Sequence, residues 1–100
     1  MQELVRRAKI FSDINRVKIL GLLLRDKEIC VCEICDTLEL SQPLVSRHLK
    51  QMKEAGLLSA RQEGKWVLYT LHPEHNIHCF LEQVQAHIQT LPKLVSCEIK

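Results

Sequence analysis

Cys30, Cys32 and Cys35 form a C-x-C-x2-C cluster. Thiolates are soft ligands that select thiophilic ions over hard ones. Cys32 and Cys35 lie three apart, so on a helix they share one face with Cβ atoms about 5–6 Å apart. Cys30 lies two before Cys32, about 200° around an ideal helix, and would point away. All three converge only if Cys30 stands outside the helix or the first turn is pulled out of shape. Cys30-x-x-Glu33 favours the first option. It occupies the places of a capping box, with cysteine where serine or threonine normally sits. A helix N-terminus lowers a thiol pKa, which predicts thiolates ready to bind metal. Three thiolates with no fourth ligand nearby suit a pyramidal trivalent ion such as arsenite or antimonite, whose lone pair fills the open side. Structural zinc normally takes four ligands. Inert buried cysteines, a Cys32–Cys35 redox pair, and cadmium, lead or zinc at the same thiols all stay open as alternatives.

The cluster sits in Glu28–Gln51, where two short helical patterns flank a turn at Glu39–Leu40. That is the outline of a helix-turn-helix. Ser41 caps the second helix and Pro43 lies in its first turn, where a missing N–H costs nothing. Val45, Leu49 and Met52 give it one apolar seam. The rest of its surface carries Gln42, Leu44, Ser46, Arg47, His48 and Lys50, with Ser41 at its start. Such residues reach phosphates and base edges in a major groove.

Two helices are expected before this motif. Residues 2–11 carry a stripe of Leu4, Val5, Ala8 and Phe11. Ser12 or Asp13 caps a second helix from Ile14 to Leu24, with Ile14, Val17, Leu20, Leu23 and Leu24 buried and Arg16, Lys18 and Arg25 wet. After the motif, Gly56 stops the reading helix. Leu57–Arg61 and Trp66–Leu71 then flank a Gln62–Lys65 turn in which Gly64 takes a positive φ, giving a hairpin. Beside a helix-turn-helix a hairpin is a wing, with Arg61, Lys65 and Gln62 at its tip to touch the DNA backbone or minor groove; a merely solvated turn is the alternative. A last helix opens at Pro73 and runs to Thr90. His72, His75, His78 and Cys79 form a row at its start, better explained as solvated or capping residues than as a second metal site. Cys79 and Cys97 are packing or tail thiols.

The fold class is thus mainly α with a β-hairpin, in the order α-α-α-α-β-β-α. One domain covers 1–92, with a flexible tail at 93–100. A chain of 100 residues buries a core of modest stability, which dimerisation would reinforce. The apolar stripes of the first and last helices are the expected homodimer face. Net charge is only +2, so nucleic-acid binding is argued from where Arg47, His48, Lys50 and Lys53 gather. No run of 18 or more apolar residues predicts a membrane helix. The N-terminus lacks a signal peptide's apolar block, which predicts a cytoplasmic protein whose five cysteines are not structural disulfides. No phosphate loop, nucleophile–base pair or carboxylate dyad supports an enzyme.

These segments resemble the ArsR/SmtB family of metal-responsive repressors, in its arsenic-responsive branch. EICVCEIC (28–35) is similar to that branch's cysteine box, SQPLVSRHLKQMKEAGLL (41–58) to its reading helix, and EGKWVLYTL (63–71) to its wing. The resemblance covers roughly residues 4–90. It implies a homodimeric winged helix on double-stranded operator DNA that represses a resistance operon. It also implies release when As(III) or Sb(III) binds Cys30, Cys32 and Cys35. No thiol precedes Cys30, unlike in cadmium and lead sensors. The last helix lacks the Asp-x-His…His pattern of zinc sensors.

Overall fold

The computed structural model describes residues 1–73 and 77–95. Helix α1 spans Gln2–Ile10 and α2 Ile14–Asp26. Asp13 is the cap of α2, its carboxylate accepting from the Asn15 N–H at 2.8 Å. Strand β1 is the two-residue Ile29–Cys30, followed at once by α3, Val31–Leu38. Glu39 closes α3 in the left-handed region at φ 56, and Ser41 opens α4, Gln42–Glu54. Gly56, at φ +80, turns the chain from α4 into β2, Leu58–Glu63. Gly64 and Lys65 alone separate β2 from β3, Trp66–Leu71, and Gly64 has φ +61. Helix α5 covers His78–Gln85, and a short 3-10 turn follows at Ile88–Thr90.

The sheet has the order β1-β3-β2, all antiparallel. The winged-helix class is therefore as expected, but β1 is an added strand. It seats the start of α3 on the base of the wing. Ile19, Leu20, Leu22 and Leu23 of α2 join Ile29, Ile34, Val45, Leu49 and Met52 in one fully buried core. Burial of such side chains contributes about 1.5–3 kcal/mol each and is what holds α3 and α4 in one orientation.

Three departures concern the dimer face. Ile14, expected in the core, is 68% exposed, while Leu4 is 66% and Val5 56% exposed. Ile10, outside the expected stripe of α1, is buried. Phe11 stacks on Phe80 with ring centroids 3.8 Å apart, joining the end of α1 to α5. The last helix begins at His78, not at Pro73, and ends at Gln85. Beyond it the bonds tighten to i→i−3, as from the Thr90 N–H to His87 O at 3.0 Å. That turn lays Leu91 on Gly21, where a Cβ would lie 2.7 Å from Leu91 Cδ1. The chain that follows is docked as far as it is described. Arg25 donates to the Pro92 carbonyl at 2.8 Å, and the Val95 N–H donates to Thr37 Oγ1 at 2.8 Å.

Candidate metal centre and nucleic-acid interface

Cys30 stands outside α3, at φ −88 and ψ 163. Both arms of the capping box are in place, and the Cys30 N–H donates to Glu33 Oε1 at 3.1 Å. With Cys30 extended, its Sγ lies 3.1 Å from Cys32 Sγ. Two of the three sulfurs therefore meet. Cys35, on the next turn, packs against the core, and no group of three ligand residues is assembled among the described residues.

Two thiol expectations need correction. Burial pushes the Cys30 thiol up, with Glu33 acting in both directions and the Cys32 backbone opposing, and burial followed by Asp36 pushes up Cys35. Desolvation outweighs the helix terminus because Cys30 is fully buried. Both shifts favour the thiol over the thiolate. Cys32 is disulfide-bonded, whereas Cys30, Cys35 and Cys79 are free. A disulfide sulfur offers no thiolate, so Cys32 is available as a ligand only after reduction. His75 and Cys97 lie outside the described residues.

On α4, Gln42, Ser46, Arg47 and Lys50 are exposed, Leu44 is half-buried, and Ser41 Oγ accepts from the Leu44 N–H at 3.4 Å. His48 does not belong with the groove-facing residues. It is 4% exposed because it follows Val45 by three and falls in the buried seam. Its Nδ1 accepts from Arg16 Nε at 2.9 Å, while Nε2 has no partner. Arg16, expected to be solvated, instead braces the reading helix from α2 and also donates to the Lys9 carbonyl at 3.1 Å.

That brace requires a neutral ring. Burial pushes His48 below 6.5; Asp13 acts against this, and Arg16 and Arg47 add like charge. As pH falls below about 6.5 the unfolded chain takes the proton first. The stability due to His48 is therefore complete above that pH and is lost on descent through the lowered folded value. Urea midpoints measured from about pH 7.5 to about pH 5 should fall, and His48→Gln should flatten the slope. Identical slopes would remove His48 as the cause.

The wing differs from expectation at Arg61. It is a β2 residue and not part of the tip, and its guanidinium is taken up by carboxylates. Nε and Nη2 donate to Glu28 at 2.7 and 2.8 Å, and Nη1 donates to Glu63 at 2.7 Å. The Arg61 fork holds the Glu28 carboxyl below its usual range. The tip cation is Lys65, whose Nζ lies 5.7 Å from the Trp66 ring centroid. Arg47→Ala should weaken specific DNA binding by about 1–3 kcal/mol if Arg47 reads a base edge. Lys65→Ala should lower affinity for all sequences and flatten the salt dependence. Competition binding against operator and scrambled duplexes separates the two; equal losses on both duplexes for Arg47→Ala would remove it from base reading.

Residue type alone missed Arg16 and Glu28. Both work through long-range partners, and the only local signal was the β-prone Ile29-Cys30-Val31 run after Glu28. An exposed reading helix, a two-stranded wing and a buried seam tying them to a bundle define a winged helix-turn-helix DNA-binding protein. The chain matches the family described as bacterial regulatory protein, arsR family, over residues 13–60. It is 40% identical over 95 residues to the arsenical resistance operon repressor of Escherichia coli, covering 85% of this chain and 81% of that protein. To the arsenic resistance transcriptional regulator ArsR1 of Pseudomonas putida it is 52% identical over 66 residues. That match covers 66% of this chain and 52% of the relative, about half its length. A solved relative is the homodimeric winged helix-turn-helix DNA-binding domain Mb0332 of Mycobacterium bovis, a possible ArsR-family regulator. It superposes with a TM-score of 0.73 at 30% identity, covering 85% of this chain and 79% of that one. The chain belongs to the arsR family of bacterial regulatory proteins, which places it among transcriptional regulators and not enzymes. Among the described residues, no helix is long and apolar enough to cross a membrane.

Proposed function

We propose that this protein is a homodimeric repressor of an arsenic-resistance operon, released from its operator when As(III) or Sb(III) binds Cys30, Cys32 and Cys35. The observation that carries the reading is the 3.1 Å approach of Cys30 Sγ to Cys32 Sγ, made possible by a cysteine cap outside the helix. Two of the three sulfurs already touch, Cys32 becoming a free thiol on reduction, and Cys35 is one turn further along α3. The names of the arsenic-resistance relatives support the same ion class.

Arsenous acid suits protonated thiols. Each As–S bond forms as a hydroxide leaves and takes the thiol proton as water, so three thiols yield three waters and no free proton. A divalent cation must instead expel thiol protons into solution, and its affinity climbs with pH. Closing the site on Cys35 draws the start of α3 out of shape. Ile34 is buried with Val45 and Leu49, so the shift reaches α4 and tilts Gln42–Lys50 against the groove. Two chains joining through α1 and α5 would present two reading helices to half-sites about one DNA turn (~34 Å) apart.

The test uses reduced protein. Mass measurement should find one As per chain with three hydrogens displaced, and a gel shift on operator DNA should show release by arsenite. Retention on DNA with arsenic bound would sink the release step, and failure to bind arsenic would sink the site. A second reading, thiol–disulfide control, is favoured by the disulfide at Cys32. It requires operator affinity to change on reduction alone, without arsenite.

A further inference from the structure

Glu28 and Arg61 stand 33 positions apart and meet across the sheet. Their contact is a fork, with Arg61 Nε and Nη2 each donating to one Glu28 carboxylate oxygen. A planar fork is directional, so it fixes the orientation of the two strands as well as their distance. Cys30 pairs with Leu68 and Leu68 with Arg61, so thiol, core leucine and guanidinium form one row over the three strands. Opposed residues share a sheet face, as do residues two apart along a strand. Cys30 and Arg61 therefore lie on one face, and the fork brings the Glu28 carboxylate to the Arg61 end of that row.

The segment holding Glu28 and Cys30 has little slack. Its strand is two residues long and runs directly into α3. On its other side Lys27 has φ 73 and ψ −63, and the Glu28 N–H donates to the Asp26 carbonyl at 2.9 Å. That is a γ-turn of the rare, strained hand, a conformation that relaxes when released. A displacement of Cys30 is therefore carried to Glu28, and the hinge at Lys27 permits it.

We infer that the Glu28–Arg61 fork carries the effect of inducer binding from Cys30 to the wing. The inference rests on the proposed inducer site and adds a second route beside the packing of α3 on α4. With Cys30 in its strand, Glu28 holds Arg61 and sets the angle of the hairpin for DNA. When Cys30, already against Cys32, is drawn with it toward Cys35, β1 shifts, the fork breaks or drags β2, and Lys65 leaves its position at the phosphates. Arg61 acts here as a positioning residue. Two carboxylates already occupy its guanidinium, which leaves it poorly suited to bind phosphate.

The experiment measures operator affinity of the full, reduced chain with and without saturating arsenite, and separately measures arsenite binding without DNA. Glu28→Gln keeps the side chain's shape and loses its charge, while Arg61→Lys keeps the charge and loses the fork. Both variants should bind arsenite as the wild type does, yet the arsenite-induced loss of operator affinity should shrink by about three- to tenfold. The double variant should shrink it no further than either single change, because the two residues act as one unit. Wild-type loss ratios in both single variants would overturn the inference while leaving the inducer site standing. Weakened arsenite binding with an unchanged ratio would overturn it as well. A wild type that ignores arsenite would refute the inducer reading, and the inference with it.

Discussion

Cys30→Ser protein should stay on its operator at arsenite concentrations that strip the wild type. Serine is the ordinary capping residue, and its hydroxyl can take over the bond that Cys30 Sγ makes with the Glu33 N–H. The fold and the reading helix should therefore survive, with thermal stability changed by no more than about 1 kcal/mol. The soft ligand is gone, however, and the hard oxygen left in its place has little affinity for a trivalent arsenic centre. Inducer coupling, typically about 5- to 150-fold in affinity, should collapse toward unity. Cys32→Ser should behave likewise, since Cys32 is the sulfur that Cys30 already touches. Fluorescence anisotropy of labelled operator, titrated with arsenite, reads the effect directly. Release of Cys30→Ser at the wild-type concentration would eliminate the three-thiol mechanism.

The second large effect is expected at the dimer face. Leu4 is 66% exposed in the single chain, so Leu4→Glu removes almost nothing from the monomer's own core. If α1 lies against a second copy, the same change buries a carboxylate without a partner, which is strongly disfavoured. Val5, Ile14 and the groove lined by Phe11, Phe80, Val84 and Leu91 would extend that face. The two reading helices would then bind DNA independently. Losing the linkage between two half-site contacts costs about 10²–10⁴ in apparent affinity. Sedimentation should show a monomer, and operator affinity should fall by that order. A Leu4→Glu protein that remains a dimer would place the interface elsewhere.

The elements built from local signals were legible in the sequence. Asp13, Ser41, Gly56 and the glycine turn at Gly64 mark ends that the structure keeps, because capping and positive φ are settled within a few residues. What escaped depends on distant partners. Strand β1 exists only because Tyr69 and Leu68 are brought alongside Ile29 and Cys30. Side-chain type placed His48 in the groove and Arg61 at the wing tip. Helix phase buries the first, and Glu28 and Glu63 hold the second. The pKa of Cys30 was misjudged because the helix terminus is visible in the sequence, while the burial that outweighs it appears only once the core has formed. The capping pattern in the cysteine box showed why Cys30 leaves the helix. That only two of the three sulfurs meet could be seen only in the structure.

Lys27 has a further consequence, for repression without any inducer. A non-glycine residue held at φ 73 stores about 1–3 kcal/mol of backbone strain, a sizeable part of the total stability of a small domain. Strain in the resting state narrows the gap to the relaxed one, so thermal motion visits the released arrangement of β1 more often than an unstrained joint would allow. Minor states a few kcal/mol above the ground state hold about 0.1–10% of molecules. In the proposed mechanism those molecules grip the operator poorly, and they set a floor of leaky transcription. In that mechanism an easily thrown switch and a fully silent operon would be opposed demands on one residue, and the hinge at Lys27 would fix the compromise between them.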